Sequence, residues 1–497
     1  MEFWKGIINT AMMGTDKKTI GAGELPAAIS EAAASIQAQQ AADKEEQFLQ
    51  VAALAFNYRQ CGVQPLKKEG ISLPLAAAEE KAYCSLHSLQ ALKDILSEES
   101  VPLLKLWLQY CAASNKIVLP EMLPALLSAG VQEKKLQTLI TACCGKRAEW
   151  LSGFNPAWDF SSHQTAIEQW QTGTPEQRKT VLANTRKVNP LQAREWLQQT
   201  WAQEDAASKL SFLELLAINI SEADIDFLSA LASEKSKKVK DAALELLKQT
   251  PGSPIVLQYQ ALLAQSVLLK KEKVLLGLGA KTALQFQLPP VMDDAVFTSG
   301  VVKLSNDKSL TDDEFIFFQL IQSVPPAFWG QHLAASPEDV IHYFHKDAVG
   351  KKMIPALVRA TRTFNNRQWA MAMAQHSEVF YIDLLPLLPL AQQESYSIKF
   401  FEQYADSIIG YAEQREEPWS VALTKLIFKH AANNPYQYNR SFYNRNIHLV
   451  PGRVALELEK CTPADATLRS SWSNTSDYIL KLLQLTAQTI QSFNSAA

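Results

Sequence analysis

The chain has 497 residues, 47% hydrophobic and 20% charged, the composition of a folded protein longer than one ordinary core. Its 48 Lys and Arg against 51 Asp and Glu leave a net charge of -3, which excludes a global field drawing it to nucleic acid or anionic lipid. Only 18 glycines in a chain rich in Ala and Leu argue against a turn-dense β-sandwich and for helices.

Residues 1–20 predict a short amphipathic helix with Phe3, Trp4, Ile7, Ile8, Ala11 and Met12 on one side and a stop at Gly14-Thr15. Residues 21–47, which hold Pro26, read as a helix or a connection. Helical periodicity returns at Phe48 with Val51, Ala52, Leu54, Ala55 and Tyr58. After a loop at Lys67–Pro74, helices are expected over Ala76–Leu96, Val101–Ala112, Leu119–Ala129 and Val131–Cys144, the last closed by Gly145. Residues 1–160 are therefore read as an N-terminal helical domain.

Thr174-Pro175-Glu176 reads as an N-cap followed by Pro at the first helical position, opening a helix to Asn184 and another over Pro190–Gln203. Leu210–Ser253 carries the most informative pattern. Phe212, Leu213, Leu215, Leu216 and Ile218, then Ile225, Phe227, Leu228 and Leu231, then Val239, Ala242, Ala243, Leu246 and Leu247 recur at helical spacing, and Pro251-Gly252 ends the run. This is the signature of an antiparallel, HEAT-like helix pair, so 161–265 are assigned to helical repeats.

Residues 266–330 break the pattern: Leu284–Leu288 alternates with period two and stops at Pro289-Pro290, which predicts an irregular insert with a β-hairpin. Residues 331–497 return to helical periodicity as a C-terminal helical domain, with a last helix from about Thr475 to Phe493. Within it Asn433–Pro451 is aromatic and polar without periodicity, and reads as an ordered surface loop. The expected fold is all-α, a HEAT-like helical repeat array (an α-solenoid) with a small irregular or β insert near 270–305.

Three segments together resemble a bacterial family of unknown function. Trp4-Lys5-Gly6-Ile7 through Ala11-Met12-Met13-Gly14-Thr15-Asp16-Lys17 is similar to its opening, which ends in A-x-x-G-T-[DE]-[RK]. Gly145-Lys146-Arg147-Ala148-Glu149-Trp150-Leu151 with Asn155-Pro156-Ala157-Trp158 is similar to its G-x-R-G-x-W-L…N-P-x-W segment, with Ala148 in place of a glycine. The stretch Ser236–Leu247 with Pro251-Gly252-Ser253 is the third. The resemblance implies company rather than chemistry: MoxR-type AAA+ ATPases, von Willebrand A domain proteins and SWIM zinc-finger proteins. It implies no catalytic residue and no cofactor.

The residues themselves offer few chemical candidates. His342-x-x-His345, with Asp339 and Asp347 nearby, places two imidazoles on one helix face but lacks the HExxH spacing and further ligands. Cys143-Cys144-Gly145-Lys146-Arg147 sets a thiol near cations, yet Cys143 and Cys111 stand on apolar helix faces as small core residues. The six cysteines show no paired metal spacing. Gly14-Thr15-Asp16-Lys17-Lys18 and Gly277-Leu278-Gly279-Ala280-Lys281 have phosphate-loop residue types without the framework, and read as a helix stop and a turn. Lys235–Lys240 is a lysine-rich run expected to be a solvated turn.

Partner-binding candidates are Trp4, Arg147, Trp150, Asn155 and Trp158, with Tyr438, Arg440 and Tyr443 in the aromatic loop, because Trp, Tyr and Arg anchor interfaces. The aromatics also suit base stacking, although the negative net charge favours protein contacts. The opening lacks a signal peptide's basic and apolar regions, and no stretch approaches the ~20 apolar residues of a membrane span, so a cytoplasmic protein is expected. The sequence is therefore read as a non-enzymatic scaffold or adaptor without metal or cofactor, whose partner is an AAA+ ATPase or von Willebrand A protein. A nucleic-acid-binding repeat protein, or an enzyme using His342, His345 and Asp347, stays open as an alternative. Oligomeric state is left unassigned.

Overall fold

Helix starts in this chain are set by side-chain caps. Ser85, Thr165, Thr174, Asn189, Asp205, Ser253, Thr311, Ser336 and Ser420 each accept a bond from an amide of the turn they open, satisfying donors that the helix itself leaves unpaired. The computed structural model describes residues 2–61, 74–160, 165–273, 280–415 and 417–494, with backbone only at Glu2 and over 271–273 and 280–282. These residues are mostly helical, with two small two-stranded sheets among them. The chain divides into a unit of residues 1–76 and a unit of residues 77–497.

In the first unit the helices Glu2–Met13, Ala27–Gln37 and Lys44–Cys61 close on Ile7, Ile20, Leu25, Ile29, Ala33, Val51 and Ala55. The first helix stops where its glycine predicts: Gly14 takes φ +86° and its amide bonds the Thr10 carbonyl at 2.9 Å. Phe3 meets Tyr58 edge-on at 6.0 Å, and the Arg59 guanidinium lies 5.1 Å from the Trp4 ring, so Trp4 belongs to this packing.

The second unit is organised around three apolar cores. One takes residues 84–148 together with 401–493, so segments read above as separate N- and C-terminal domains share it. The last helix, Ala466–Asn494, packs along Leu86–Ser97 and Val101–Ala113. Trp107, fully buried, donates its indole N–H to the Ser88 carbonyl at 2.9 Å and meets Phe493 edge-on at 5.4 Å. Ser88 in turn donates to the Ser492 carbonyl at 3.2 Å. The helix expected from Ala76 starts only at Leu86, because Ala82–Tyr83 pairs in parallel with Lys116–Ile117 and Ser85 then caps the helix.

A second core spans Tyr259–Leu388. Here the expected hairpin forms from Val267–Lys273 and Ala280–Phe286, antiparallel with Val267 opposite Phe286 and Leu269 opposite Leu284. Period-two alternation turns Leu284 and Phe286 to the core, where Phe286 meets Phe317 at 5.3 Å and Phe344 at 5.9 Å. Helices Asp312–Gln322 and Ala348–Thr363 complete this core.

The third core, Trp170–Leu247, contains the segment read as repeats. Helix Lys237–Lys248 packs on both Ala206–Leu216 and Ile225–Ala230. At its centre Arg186 and Asp224, both nearly fully buried, form a forked ion pair that Arg194 joins at 3.1 Å. The remaining Arg186 N–H groups reach the carbonyls of Leu216, Ile218, Pro190 and Asn219, and Asp224 also accepts from the Ser221 amide at 3.0 Å. A buried charge stripped of its partner is strongly destabilising. Asp224→Ala is therefore expected to cost about 3–5 kcal/mol in a urea unfolding titration. Arg186→Lys should cost nearly as much, since three ammonium donors replace five in a rigid fork.

Candidate partner-binding site

The helix Gln137–Ser152 is broken in its middle. Gly145 takes φ +68° and ψ -166°, and a Cβ there would collide with the Glu79 carboxylate. The chain restarts as a helical turn whose first amides have no partner within it, and Glu79 supplies one: its two oxygens accept from the Lys146 and Arg147 amides at 2.8 and 2.9 Å. Carboxylate and glycine thus build a corner together. The sequence reading places Gly145 correctly as a stop but misses Glu79, which lies 67 residues before Lys146 with no local pattern to announce it.

Beyond the corner, Trp150 meets Phe154 edge-on at 4.8 Å, and Phe154 is 52% exposed. Asn155 accepts from the Ala157 amide at 3.2 Å and so caps the short turn Pro156–Trp158. Trp158 and Phe160 then lean on the core, with the Phe160 ring pressed where Gly130 leaves no side chain. Between these elements lies an open cleft of about 480 Å³ lined by Ala148, Glu149, Ser152, Trp158, Asp159 and Phe160, among others. Arg147 stands exposed on the same turn. Four of the candidates, Arg147, Trp150, Asn155 and Trp158, therefore share one corner.

Tyr438, Arg440 and Tyr443 do not form an exposed stacking surface, and the loop expected at Asn433–Pro451 is partly helical, over Arg440–Asn446. Tyr438 and Tyr443 are 7% and 2% exposed. Tyr443 packs edge-on against Phe428 at 5.5 Å and Phe442 at 5.2 Å, and Tyr438 donates to Asp406 at 2.6 Å. Burial, with that bond, raises the Tyr438 phenol, and the same bond lowers the Asp406 carboxyl. Arg440 lies 4.9 Å from the Tyr478 ring. Asp406 and Phe428 turn the aromatics inward, and neither stands within the loop.

The lysines Lys235, Lys237, Lys238 and Lys240 are exposed where helix Lys237–Lys248 begins, and Lys270 is exposed as well. The Lys271 and Lys273 side chains, and residues 277–279 of the second glycine motif, lie outside the described residues. Among the described residues no group of three or more His, Cys, Asp and Glu is placed to hold a metal ion. Of the sequence cluster, Asp339 bonds Ser336 at 3.0 Å and Asp347 caps the Val349 and Gly350 amides. Both His345 ring nitrogens are buried without a hydrogen-bond partner among the described residues, Nδ1 lying 3.9 Å from Glu378.

Two measurements probe this geometry. Gly145→Ala, which must adopt a positive φ and displace Glu79, is expected to lose about 1–3 kcal/mol of stability by denaturant unfolding, and Glu79→Ala about 1 kcal/mol. Burial pushes the His345 imidazole below its usual 6.5 despite nearby Glu378, with Lys351 and His342 acting in the same direction as burial. The folded chain thus holds it neutral, and the stability this confers above pH 6.5 is lost as the pH falls below that value. In melting curves between about pH 7 and 5, His345→Leu should flatten the decline seen for the unaltered protein.

Among the described residues no helix is long and apolar enough to cross a membrane. No curated protein and no solved structure matches the chain. Residues 6–493 match the model of a family of unknown function, DUF5691, and the chain, matched over nearly its whole length, belongs to that family.

Proposed function

We propose that this chain is a non-enzymatic scaffold or adaptor that grips a protein partner through the corner at Gly145–Phe160. The observation that carries the reading is the pairing of the open cleft beside Trp158 and Phe160 with the half-exposed Phe154 set edge-on against Trp150. A rigid aromatic anchor next to a depression is how partners gain affinity at little entropic cost, and Glu79 holds the corner in advance. The partner proposed is a MoxR-type AAA+ ATPase or a von Willebrand A protein in the bacterial cytoplasm, the company that the sequence resemblance implies. The helices over 166–248 supply a HEAT-like repeat segment as the rigid support.

Co-purification of the tagged protein from its native host, with the partners quantified by mass spectrometry, tests this. An AAA+ or von Willebrand A protein recovered at near-equal amounts is expected. Phe154→Ala with Trp158→Ala should lower its recovery by about tenfold or more, the effect of losing an anchor worth over 1 kcal/mol. Retention of the partner by that double variant overturns the site. The exposed lysines at the start of Lys237–Lys248 favour a second reading, nucleic-acid binding. Nuclease-sensitive, steeply salt-dependent recovery of nucleic acid would select it instead.

A further inference from the structure

In the first unit, the loop after Gly14 and the start of helix Lys44–Cys61 border a half-open cavity of about 310 Å³. Its floor is apolar, made by Ile20, Val51 and Phe48, the first two nearly fully buried. Lys18, Lys44, Thr15 and Thr19 also line it, and no carboxylate does. Asp16 and Glu45 adjoin these lysines in sequence but are not part of the lining. Neither Lys18 nor Lys44 is ion-paired among the described residues. Two lysines and two threonines along one small cavity, with no carboxylate in its lining, favour a positive local potential that an oxyanion satisfies.

The walls are fixed by bonds that leave those groups unused. Gln37 donates to the Ile20 carbonyl at 2.6 Å, and Gln47 donates to the Gln39 and Ala42 carbonyls at 2.7 and 3.1 Å. Buried Thr10 donates to the Gly6 carbonyl at 3.0 Å. The Lys17 and Lys18 amides both return to the Gly14 carbonyl at 3.1 Å, so the positive φ of Gly14 shapes the turn from which Lys18 lines the cavity. A preformed cavity with an apolar floor and a few polar groups at its wall is the general form of a small-molecule site.

We infer that this cavity binds a small organic anion, its phosphoryl or carboxyl head held by Lys18 and Lys44 and its apolar body resting on Ile20, Val51 and Phe48. This site is separate from the proposed partner corner, and each can fail without the other. Titration calorimetry of the full chain with phenyl phosphate, benzoate, inorganic phosphate and benzyl alcohol tests it. Phenyl phosphate or benzoate is expected to bind saturably, about tenfold or more tightly than either inorganic phosphate or the neutral alcohol. Tighter phenyl phosphate assigns a phosphoryl head, and tighter benzoate a carboxyl head. Lys18→Gln with Lys44→Gln should weaken that binding about tenfold with unchanged circular dichroism, and added salt should weaken it in the unaltered chain. Thr15→Val, which keeps both charges, should weaken it less. Absence of saturable binding by either organic anion, or binding indifferent to the double substitution, overturns the inference.

Discussion

Trp107 is packed among apolar residues of 84–148, but one face of its ring is covered only by the last helix of the chain. Its indole is anchored by the Ser88 carbonyl on a neighbouring helix, but the face left open is covered by Phe493, and Ser88 itself reaches Ser492 across a separation of 404 residues. Everything between must therefore be arranged so that the ends of the second unit meet. The entropic cost of such a closure grows only logarithmically with chain length, so apolar burial along Ala466–Asn494 offsets it. The kinetic consequence is larger. A core that needs the final helix cannot close until the ribosome has made it, which leaves Leu92, Trp107 and Leu108 incompletely covered until then.

This closure bears on how the second unit holds its shape. The helices over 166–248 pack mainly on elements one or two places away in the chain. The core shared by 84–148 and 401–493 differs, because it joins helices that no neighbour-to-neighbour path would bring together. The corner at Gly145 sits on that shared core through Leu151, Trp158 and Phe160. Its rigidity thus derives from both ends of the unit as well as from Glu79.

Much of this is legible in the sequence because its determinants are local. Gly14 ends a helix by its own backbone freedom, Thr174 and Gln177 form a capping box three residues apart, and Leu284 with Phe286 announces a strand by alternation. The features that cannot be read depend on partners distant in sequence. Tyr438 and Tyr443 look like surface aromatics because nothing near them in the chain names Asp406 or Phe428 as their neighbours. Periodicity sets the start of Leu86–Ser97 ten residues early, since the pairing of Ala82–Tyr83 with Lys116–Ile117 is a tertiary event. The cavity beside Lys18 escapes for the same reason: Gly14–Lys18 lacks a phosphate-loop framework, and its significance appears only once Lys44 and Val51 face it.

The Arg186–Asp224–Arg194 cluster has a consequence for how this sequence can drift. Each guanidinium N–H of Arg186 is taken up, and Asp224 serves two arginines and a backbone amide. An apolar residue in place of Asp224 or Arg186 alone strands a charge away from water, whereas a concerted exchange of the whole set for apolar side chains of similar volume need not. At Arg186 and Asp224 the choices therefore form two islands, one ionic and one oily, and a single exchange of one for an apolar residue falls between them. A lineage that begins on one island is held there by physics long after the reason for starting on it has gone.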